Sequence, residues 1–252
     1  MAVLEVAGAQ LEYRSLPGRE PGLALLHEGL GCVSMWRDFP DRLNATSGNA
    51  VFVWSRRGYG GSSPAPAPWP VGYMHEEARD WLPQVLAAAG FKTFVLIGHS
   101  DGASIAAIYA GEQPAPGLRG LVLMAPHFFV EDVSIASIAQ AREAYECGDL
   151  RSRLERHHEA NVDGAFWGWN GAWLDPDFRD WDIQAMLPDI RVPTLLIQGA
   201  DDEYGTLAQI NAAQSAIPSP VTTLVLPGSR HSPHRDRPDA TLEAITAFLS
   251  AL

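Results

Sequence analysis

The sequence predicts an α/β fold in which a mainly parallel β-sheet is flanked by helices. The first observation is that short, almost entirely apolar runs alternate with helical segments along most of the chain. Strands of this kind are typical of parallel sheets, because helices cover both faces and neither face meets water. The second is a change of pattern over residues 127–187, where charges and an aromatic cluster replace this alternation. That change predicts a helical segment inserted between two strands.

The individual elements follow from these patterns, and together they give eight strands. Two strands are predicted within residues 2–16, and the others at 22–29, 50–55, 91–98, 118–126, 192–200 and 221–228. Helices are predicted at 34–43, where Pro40 should interrupt the helix, and at 72–89, 101–112, 206–217 and 236–251. The predicted organisation is a core of residues 1–126 and 188–252 with a helical cap of residues 127–187.

Composition limits the partners that we expect. A chain of 252 residues with a formal net charge of −12 argues against nucleic acid or a membrane surface as partner, since both favour cationic faces. The expected partner is a small-molecule substrate; the sequence gives no prediction of oligomeric state. Cys32 and Cys147 lack metal or redox spacing, which favours reduced thiols in a cytoplasmic protein. No signal-peptide pattern and no membrane-spanning run is present, so we expect neither.

The strongest local motif follows the predicted strand at 91–98. Residues 98–102 read Gly-His-Ser-Asp-Gly, a G-x-S-x-G pattern between a strand and a helix. A tight turn of this kind presents the serine hydroxyl at the top of the sheet, beside the N–H groups that begin the next helix. The sequence therefore predicts Ser100 as a nucleophile; the alternative is a turn of purely structural importance.

A serine alcohol needs a base, and the base needs an acid that orients it. His231 follows the last predicted strand and is the preferred base, whereas His234 is the rival or a residue of the pocket or loop. Three carboxylates, at residues 201–203, follow the strand at 192–200. We expect Asp202 to be the acid, with Asp201 as the alternative, because the order serine, acid, histidine is the order of this kind of fold. The His-x-x-His spacing lacks an obvious third ligand, so we expect no metal.

These segments together resemble the α/β-hydrolase superfamily over nearly the whole chain. The resemblance rests on residues 98–103 (GHSDGA), 56–63 (RRGYGGSS), 199–205 (GADDEYG) and the RHSPH segment. It implies an α/β-hydrolase fold with an eight-stranded sheet and an oxyanion hole formed by the backbone N–H groups of Gly29 and Asp101. Two departures stand out: Glu28 where the family usually has glycine, and Ser55 where many relatives have aspartate. We expect the Glu28 carboxylate to point away from the oxyanion.

Asp101 after the serine is similar to the pattern in valacyclovir-hydrolase-like esterases. Its carboxylate would either attract a substrate ammonium group or bond to backbone donors at the helix start. The aromatic residues of the proposed cap, Phe166, Trp167, Trp169 and Trp173, would form its own core or line the pocket, and Trp167 and Trp169 are candidate substrate contacts. His157 and His158 are expected at the surface.

The predicted function is a serine hydrolase that cleaves a small carboxylic ester through an acyl-enzyme on Ser100, without metal or organic cofactor. One alternative keeps the same three residues but cleaves a C–C bond, a thioester or a lactone, because one fold hosts all of these reactions. Another is a ligand sensor with a hydrolase pocket and little turnover.

Overall fold

The computed structural model describes residues 2–112 and 115–252. Within this part of the chain, eight strands form one sheet in the order β1-β2-β4-β3-β5-β6-β7-β8. Their bounds are β1 Ala2–Val6, β2 Ala9–Leu16, β3 Arg19–Leu26, β4 Asn49–Trp54, β5 Phe94–His99, β6 Leu118–Met124, β7 Thr194–Gly199 and β8 Val221–Leu226. The pairs β1–β2 and β2–β4 are antiparallel and all other pairs are parallel. The predicted mainly parallel eight-stranded sheet is confirmed.

Helices cover both faces of this sheet. Their bounds are α1 Phe39–Ser47, α2 Tyr73–Glu76, α3 Leu82–Ala89, α4 Asp101–Glu112, α5 Asp132–Cys147, α6 Leu150–His158, α7 Val162–Trp173, α8 Leu207–Ala216, α9 Pro233–Asp236 and α10 Pro238–Ser250. Successive strand residues belong to two separate cores: Leu23 and Leu25 pack on one face, Ala24 and Leu26 on the other. This alternation buries apolar side chains of the central strands on both faces of the sheet, which explains their largely apolar sequences.

Three predicted helices differ from the observed ones. The predicted break at Pro40 is wrong, because the chain forms a 3₁₀ turn at Val33–Trp36 and α1 then begins with Pro40 in its first turn, where a missing N–H costs nothing. The segment 72–89 is not a uniform helix, since a π-helical turn at Glu77–Trp81 separates α2 from α3. The predicted C-terminal helix at 236–251 begins two residues later, at Pro238, after the separate short helix α9.

Between β6 and β7, the chain forms α5, α6 and α7, followed by two 3₁₀ segments. His158 at the end of α6 is 1% exposed, so its predicted surface position is wrong. Its Nε2 donates to the Leu30 carbonyl at 3.0 Å and its Nδ1 accepts from the Gly60 N–H at 3.1 Å. These two bonds connect the inserted helices to two loops at the carboxyl end of the sheet. The division into core and cap stays a prediction.

Candidate active site

The turn between β5 and α4 holds Ser100 in a left-handed backbone conformation, with φ of 53°. Such a conformation is unfavourable for a residue with a side chain and is typical of a serine presented on a tight turn. The turn also needs its two glycines. A Cβ on Gly98 would lie 2.4 Å from the Gly102 carbonyl oxygen, and a Cβ on Gly102 would lie 2.2 Å from the Leu26 carbonyl oxygen. The sequence G-x-S-x-G is therefore required by close backbone packing.

The loop after β8 brings His231 to this serine. The His231 Nε2 lies 2.8 Å from the Ser100 Oγ, a distance suited to a hydrogen bond donated by the hydroxyl. On the other side of the ring, Nδ1 lies 2.9 Å from Oδ1 and 3.0 Å from Oδ2 of Asp202. Three segments that are distant in sequence thus form one hydrogen-bonded chain of carboxylate, imidazole and hydroxyl.

The loop after β7 fixes the Asp202 carboxylate, whose side chain is 1% exposed. Its Oδ1 accepts from the Tyr204 N–H at 2.8 Å, and its Oδ2 accepts from the Gln198 amide at 2.7 Å. The rival Asp201 is exposed, and among the described residues the carboxylate hydrogen-bonded to the His231 ring is that of Asp202. The structure therefore brings Asp202, rather than Asp201, next to His231.

The charges in this chain favour an ionised acid and a basic imidazole. Burial acts against ionisation of Asp202, but the charge of His231 and the hydrogen bonds that the carboxylate accepts lower its pKa below the usual range. For His231, burial lowers the pKa, and the charge and hydrogen bond of Asp202, with help from Glu203 and Glu28, outweigh it and raise the pKa. A more basic imidazole is a better acceptor of the serine proton.

The backbone N–H groups of Gly29 and Asp101 donate to no partner among the described residues. Both residues line the same cavity as Ser100. The loop that carries Gly29 is held from behind, because the buried Arg56 guanidinium donates to the carbonyl oxygen of His27 at 2.6 Å. Free N–H groups in a rigid loop are suited to a developing negative charge on oxygen.

The two departures from the family pattern have structural explanations. The Glu28 carboxylate turns towards His99, with Oε2 lying 3.3 Å from Nδ1 of that residue. Ser55 is fully buried, and its Oγ donates to Oε2 of Glu12 at 2.6 Å. The neighbouring Gly61 N–H also donates to this oxygen, at 3.0 Å. A carboxylate from β2 thus binds the glycine-rich loop after β4.

A cavity of about 100 Å³ lies over the Ser100 hydroxyl. Its lining combines polar residues of the carboxyl end of the sheet with apolar side chains of α5 and α7: Glu28, Gly29, Leu30, Ser100, Asp101, His127, Ile138, Trp169, Trp173, Tyr204 and His231. Sequence reasoning missed His127 as a lining residue. It lies three residues after the end of β6, and the rule that sites gather after parallel strands would have identified it. Burial lowers the pKa of His127 to about 3, so this imidazole is neutral.

The Asp101 side chain is buried beside this cavity. Its Oδ2 accepts a hydrogen bond from the Tyr73 hydroxyl, which in turn accepts from the Trp173 indole N–H at 3.0 Å. Its Oδ1 is buried and has no hydrogen-bond partner among the described residues. Burial raises the pKa of Asp101, although the charge of Arg56 and the Tyr73 hydrogen bond oppose this effect. The expected bond to a backbone donor at the helix start is not formed by this carboxylate.

Two candidate substrate contacts lie elsewhere. Trp167 packs against Tyr145 and Phe166 and carries the Arg142 guanidinium over its ring; it is not among the cavity residues, whereas Trp169 is. Trp173, one helical turn after Trp169, lines the cavity in place of Trp167. The i, i+4 spacing of Trp169 and Trp173, which puts both on one face of the helix, could have predicted this. His234 is buried, packs against Trp36 and Phe39, and does not reach the cavity either.

Within residues 2–112 and 115–252, no cluster of three or more His, Cys, Asp or Glu side chains has an arrangement that could hold a metal ion. The His-x-x-His pair is divided, because His231 faces Asp202 and His234 faces Trp36. Cys32 is buried and Cys147 exposed, and both are free thiols. None of the described helices combines the length and the apolar character that crossing a membrane requires.

Comparisons with known proteins agree with this architecture. Residues 23–244 match the model of the alpha/beta hydrolase family. The human serine hydrolase BPHL is 26% identical over 216 residues, which cover 80% of this chain and 70% of that protein. A thermophilic esterase from Thermogutta terrifontis superposes with a TM-score of 0.79 at 19% identity, over 100% of this chain and 99% of that one. The enol-lactonase from Burkholderia xenovorans superposes with a TM-score of 0.77 at 20% identity, over 99% of this chain and 100% of that one. The chain belongs to the alpha/beta hydrolase family and is a hydrolase.

Proposed function

We propose that the protein is a serine hydrolase that cleaves small carboxylic esters through an acyl-enzyme on Ser100. One observation carries this proposal: the continuous hydrogen-bonded chain from the Ser100 hydroxyl through His231 to Asp202. The cavity that this chain faces is also lined by Gly29 and Asp101, whose N–H groups have no partner among the described residues. A buried carboxylate that orients an imidazole against an alcohol is the arrangement that makes a serine nucleophilic.

The reaction has two steps. His231 removes the Ser100 proton as Oγ attacks the ester carbonyl, and the N–H groups of Gly29 and Asp101 stabilise the oxyanion of the tetrahedral intermediate. The imidazolium then protonates the departing alcohol. Water, activated by the same imidazole, attacks the acyl-enzyme and releases the acid.

The size of the cavity supports a small substrate. About 100 Å³ lies over Ser100, whereas pockets for drug-sized ligands occupy ~300–1,000 Å³. A short acyl group fits this space, with Trp169 and Trp173 against its apolar end. Thioesters, lactones and C–C bonds remain alternative substrates of the same three residues, because each also proceeds through attack on a carbonyl.

A second candidate substrate is an ester with an ammonium group on its acyl part. Among the described residues, the cavity lining contains two acidic residues, Glu28 and Asp101, and no lysine or arginine; the Glu28 carboxylate is engaged by His99, which leaves that of Asp101. The unpartnered Oδ1 of Asp101 would gain a hydrogen bond from such a group. The variant Asp101→Asn keeps the backbone N–H of the oxyanion hole and replaces the carboxylate by a neutral amide, whose oxygen can still accept from the Tyr73 hydroxyl. We expect it to lower kcat/KM for an α-amino ester about tenfold or more relative to the matched ester without the amine; an unchanged ratio would refute the role.

The bond that is cleaved can be identified with a substrate panel. Purified protein and its Ser100→Ala variant are tested on short p-nitrophenyl esters, thioesters, lactones and vinylogous diketones. We expect the highest kcat/KM on short esters, with a burst of p-nitrophenol equal to the enzyme concentration if deacylation is the slower step. A kcat/KM that is a hundredfold higher on another substrate class than on short esters would overturn the ester proposal in favour of that class. Tight ligand binding without turnover of any class would favour the sensor.

A further inference from the structure

A second imidazole, His99, lies behind the proposed base. It directly precedes Ser100 and is fully buried. Its Nε2 lies 2.7 Å from the backbone carbonyl oxygen of His231. A carbonyl oxygen only accepts hydrogen bonds, so Nε2 must carry a proton. This bond connects the turn that bears the nucleophile to the loop that bears the base.

The other ring nitrogen of His99 faces a carboxylate. Nδ1 lies 3.3 Å from Oε2 of Glu28. Because Nε2 already carries a proton, this second hydrogen bond requires another proton, which imidazole and carboxyl share. Burial raises the pKa of Glu28, but the hydrogen bond from His99 and the nearby imidazoles of His99, His234 and His27 outweigh burial and keep the pKa well below its usual range.

The local sequence gives the Glu28 carboxylate a defined place. The Gly31 N–H donates to the Glu28 carbonyl at 3.1 Å and closes a turn. A Cβ on Gly31 would lie 2.4 Å from Glu28 Oε2, so only glycine leaves room for the carboxylate beneath the turn. The glycines of the His-Glu-Gly-Leu-Gly segment thus serve the carboxylate as well as the oxyanion hole.

Aromatic packing fixes the ring of His99 from the remaining sides. The His234 ring contacts it at 4.8 Å between centroids, the His231 ring lies at 5.2 Å and the Trp36 indole at 6.4 Å. His234 is therefore part of the support of His99, which explains its burial away from the cavity.

We propose that Glu28 is a positioning residue for His231 and acts through His99. The hydrogen bond between Glu28 and Nδ1 fixes the orientation of the His99 ring. The Nε2–H of this ring then holds the backbone of residue 231 where its side chain reaches the Ser100 hydroxyl. Without a partner on Nδ1, only packing and the Nε2 hydrogen bond orient the ring, so the loop that bears His231 is held less firmly. This inference rests on the proposed function of Ser100 and His231.

Two substitutions of Glu28 separate a hydrogen bond from bulk packing. Glu28→Leu removes any partner for Nδ1. Glu28→Gln offers an amide N–H to Nδ1, which still leaves the proton on Nε2. The readout is the rate at which a fluorophosphonate labels Ser100, since this rate depends on His231 and needs no knowledge of the substrate. We expect Glu28→Leu to slow the labelling of Ser100 about tenfold to a hundredfold. The labelling rate of Glu28→Gln should stay within about threefold of the native rate. With an ester substrate, the loss in Glu28→Leu should fall on kcat and leave KM nearly unchanged.

A spectroscopic measurement on the native protein supports the test if Glu28→Leu does not fold. With ¹⁵N-labelled histidine, the Nε2 of His99, assigned by its loss in His99→Gln, should show the shift of a protonated nitrogen. An unprotonated Nε2 would overturn the inference. So would native labelling rates in Glu28→Leu, or rates in Glu28→Gln as slow as those in Glu28→Leu. A native protein that is not labelled at Ser100 at all would instead refute the proposed function itself, and the inference with it.

Discussion

Replacement of Asp202 by asparagine is the most informative perturbation of the proposed site. The carboxylate accepts from His231, Tyr204 and Gln198, and its side chain is almost fully buried. In Asp202→Asn, the amide nitrogen would face the Gln198 donor. Gln198 can relieve this by rotating its amide, because its Oε1 has no partner among the described residues. The rotation loses its bond to the Gly205 carbonyl. The variant should therefore fold, with a neutral partner for His231.

The size of the effect follows from the lost charge. When Ser100 is attacked by substrate, His231 becomes an imidazolium next to Asp202. Two unit charges about 4 Å apart interact by about 4 kcal/mol at an effective dielectric constant of 20, which corresponds to roughly 10³-fold in rate. If the asparagine also stabilises the wrong tautomer of His231, the loss approaches ~10⁴-fold. We therefore expect kcat for a short p-nitrophenyl ester to fall by between about 10² and 10⁴.

The pH dependence of kcat/KM should also change in Asp202→Asn, in a direction that follows from the pKa of His231. The reaction needs neutral His231, so the rate rises with pH through the pKa of this residue. Asp202 raises that pKa, and its neutral replacement should move the acidic limb of kcat/KM to lower pH while the maximum falls. The matched control is Asp201→Asn at the adjacent, exposed position, which should leave both rate and limb unchanged. A loss below tenfold in Asp202→Asn, or an acidic limb that does not move down, would refute the reasoning.

Three further predictions concern the wild-type enzyme, the cavity and the turn. In the native protein, the acidic limb of kcat/KM should lie above the usual pKa of histidine, because the pKa of His231 is raised; a midpoint below it would contradict this. Trp169→Ala should shift the preferred p-nitrophenyl ester to a longer acyl chain, since Trp169 lines the cavity and Trp167 does not; Trp167→Ala is the control, and an equal shift in both would argue against this wall. Gly102→Ala should lower the free energy of unfolding by about 2 kcal/mol or more in urea denaturation, because its Cβ would collide with the Leu26 carbonyl; Gly171→Ala, which meets no atom within 4 Å, should not, and equal stabilities would contradict the steric argument.

Local patterns were sufficient for the fold and for part of the site. The apolar runs identified the strands because each central strand is buried on both sides. The turn at Ser100 could be predicted because strand, glycines and helix are contiguous in sequence. Among the three carboxylates at 201–203, the position three residues after Gly199 favoured Asp202, but the pattern alone left Asp201 open as the alternative. Their roles depend on which one receives the Tyr204 N–H and the Gln198 amide, and that follows only from the folded loop.

Contacts between distant segments were beyond the sequence. His158 was expected at the surface, yet it is buried because loop groups about a hundred residues away in sequence satisfy both ring nitrogens. Trp167 and Trp169 could not be ranked, since the pattern did not tell which face of α7 turns to Ser100. Tyr73 was not foreseen as the partner of Asp101, because it lies on a helix broken by a π-helical turn.

The most direct test of the account is the identification of the residue that a fluorophosphonate modifies. Native protein should gain one adduct by intact mass, and peptide mapping should assign it to Ser100. Labelling should be absent in Ser100→Ala, strongly slowed in His231→Gln and lost in urea-unfolded protein, because the hydroxyl is reactive only beside the His231 imidazole. An adduct on another residue, or equal labelling of native and unfolded protein, would contradict the claim that the fold activates Ser100.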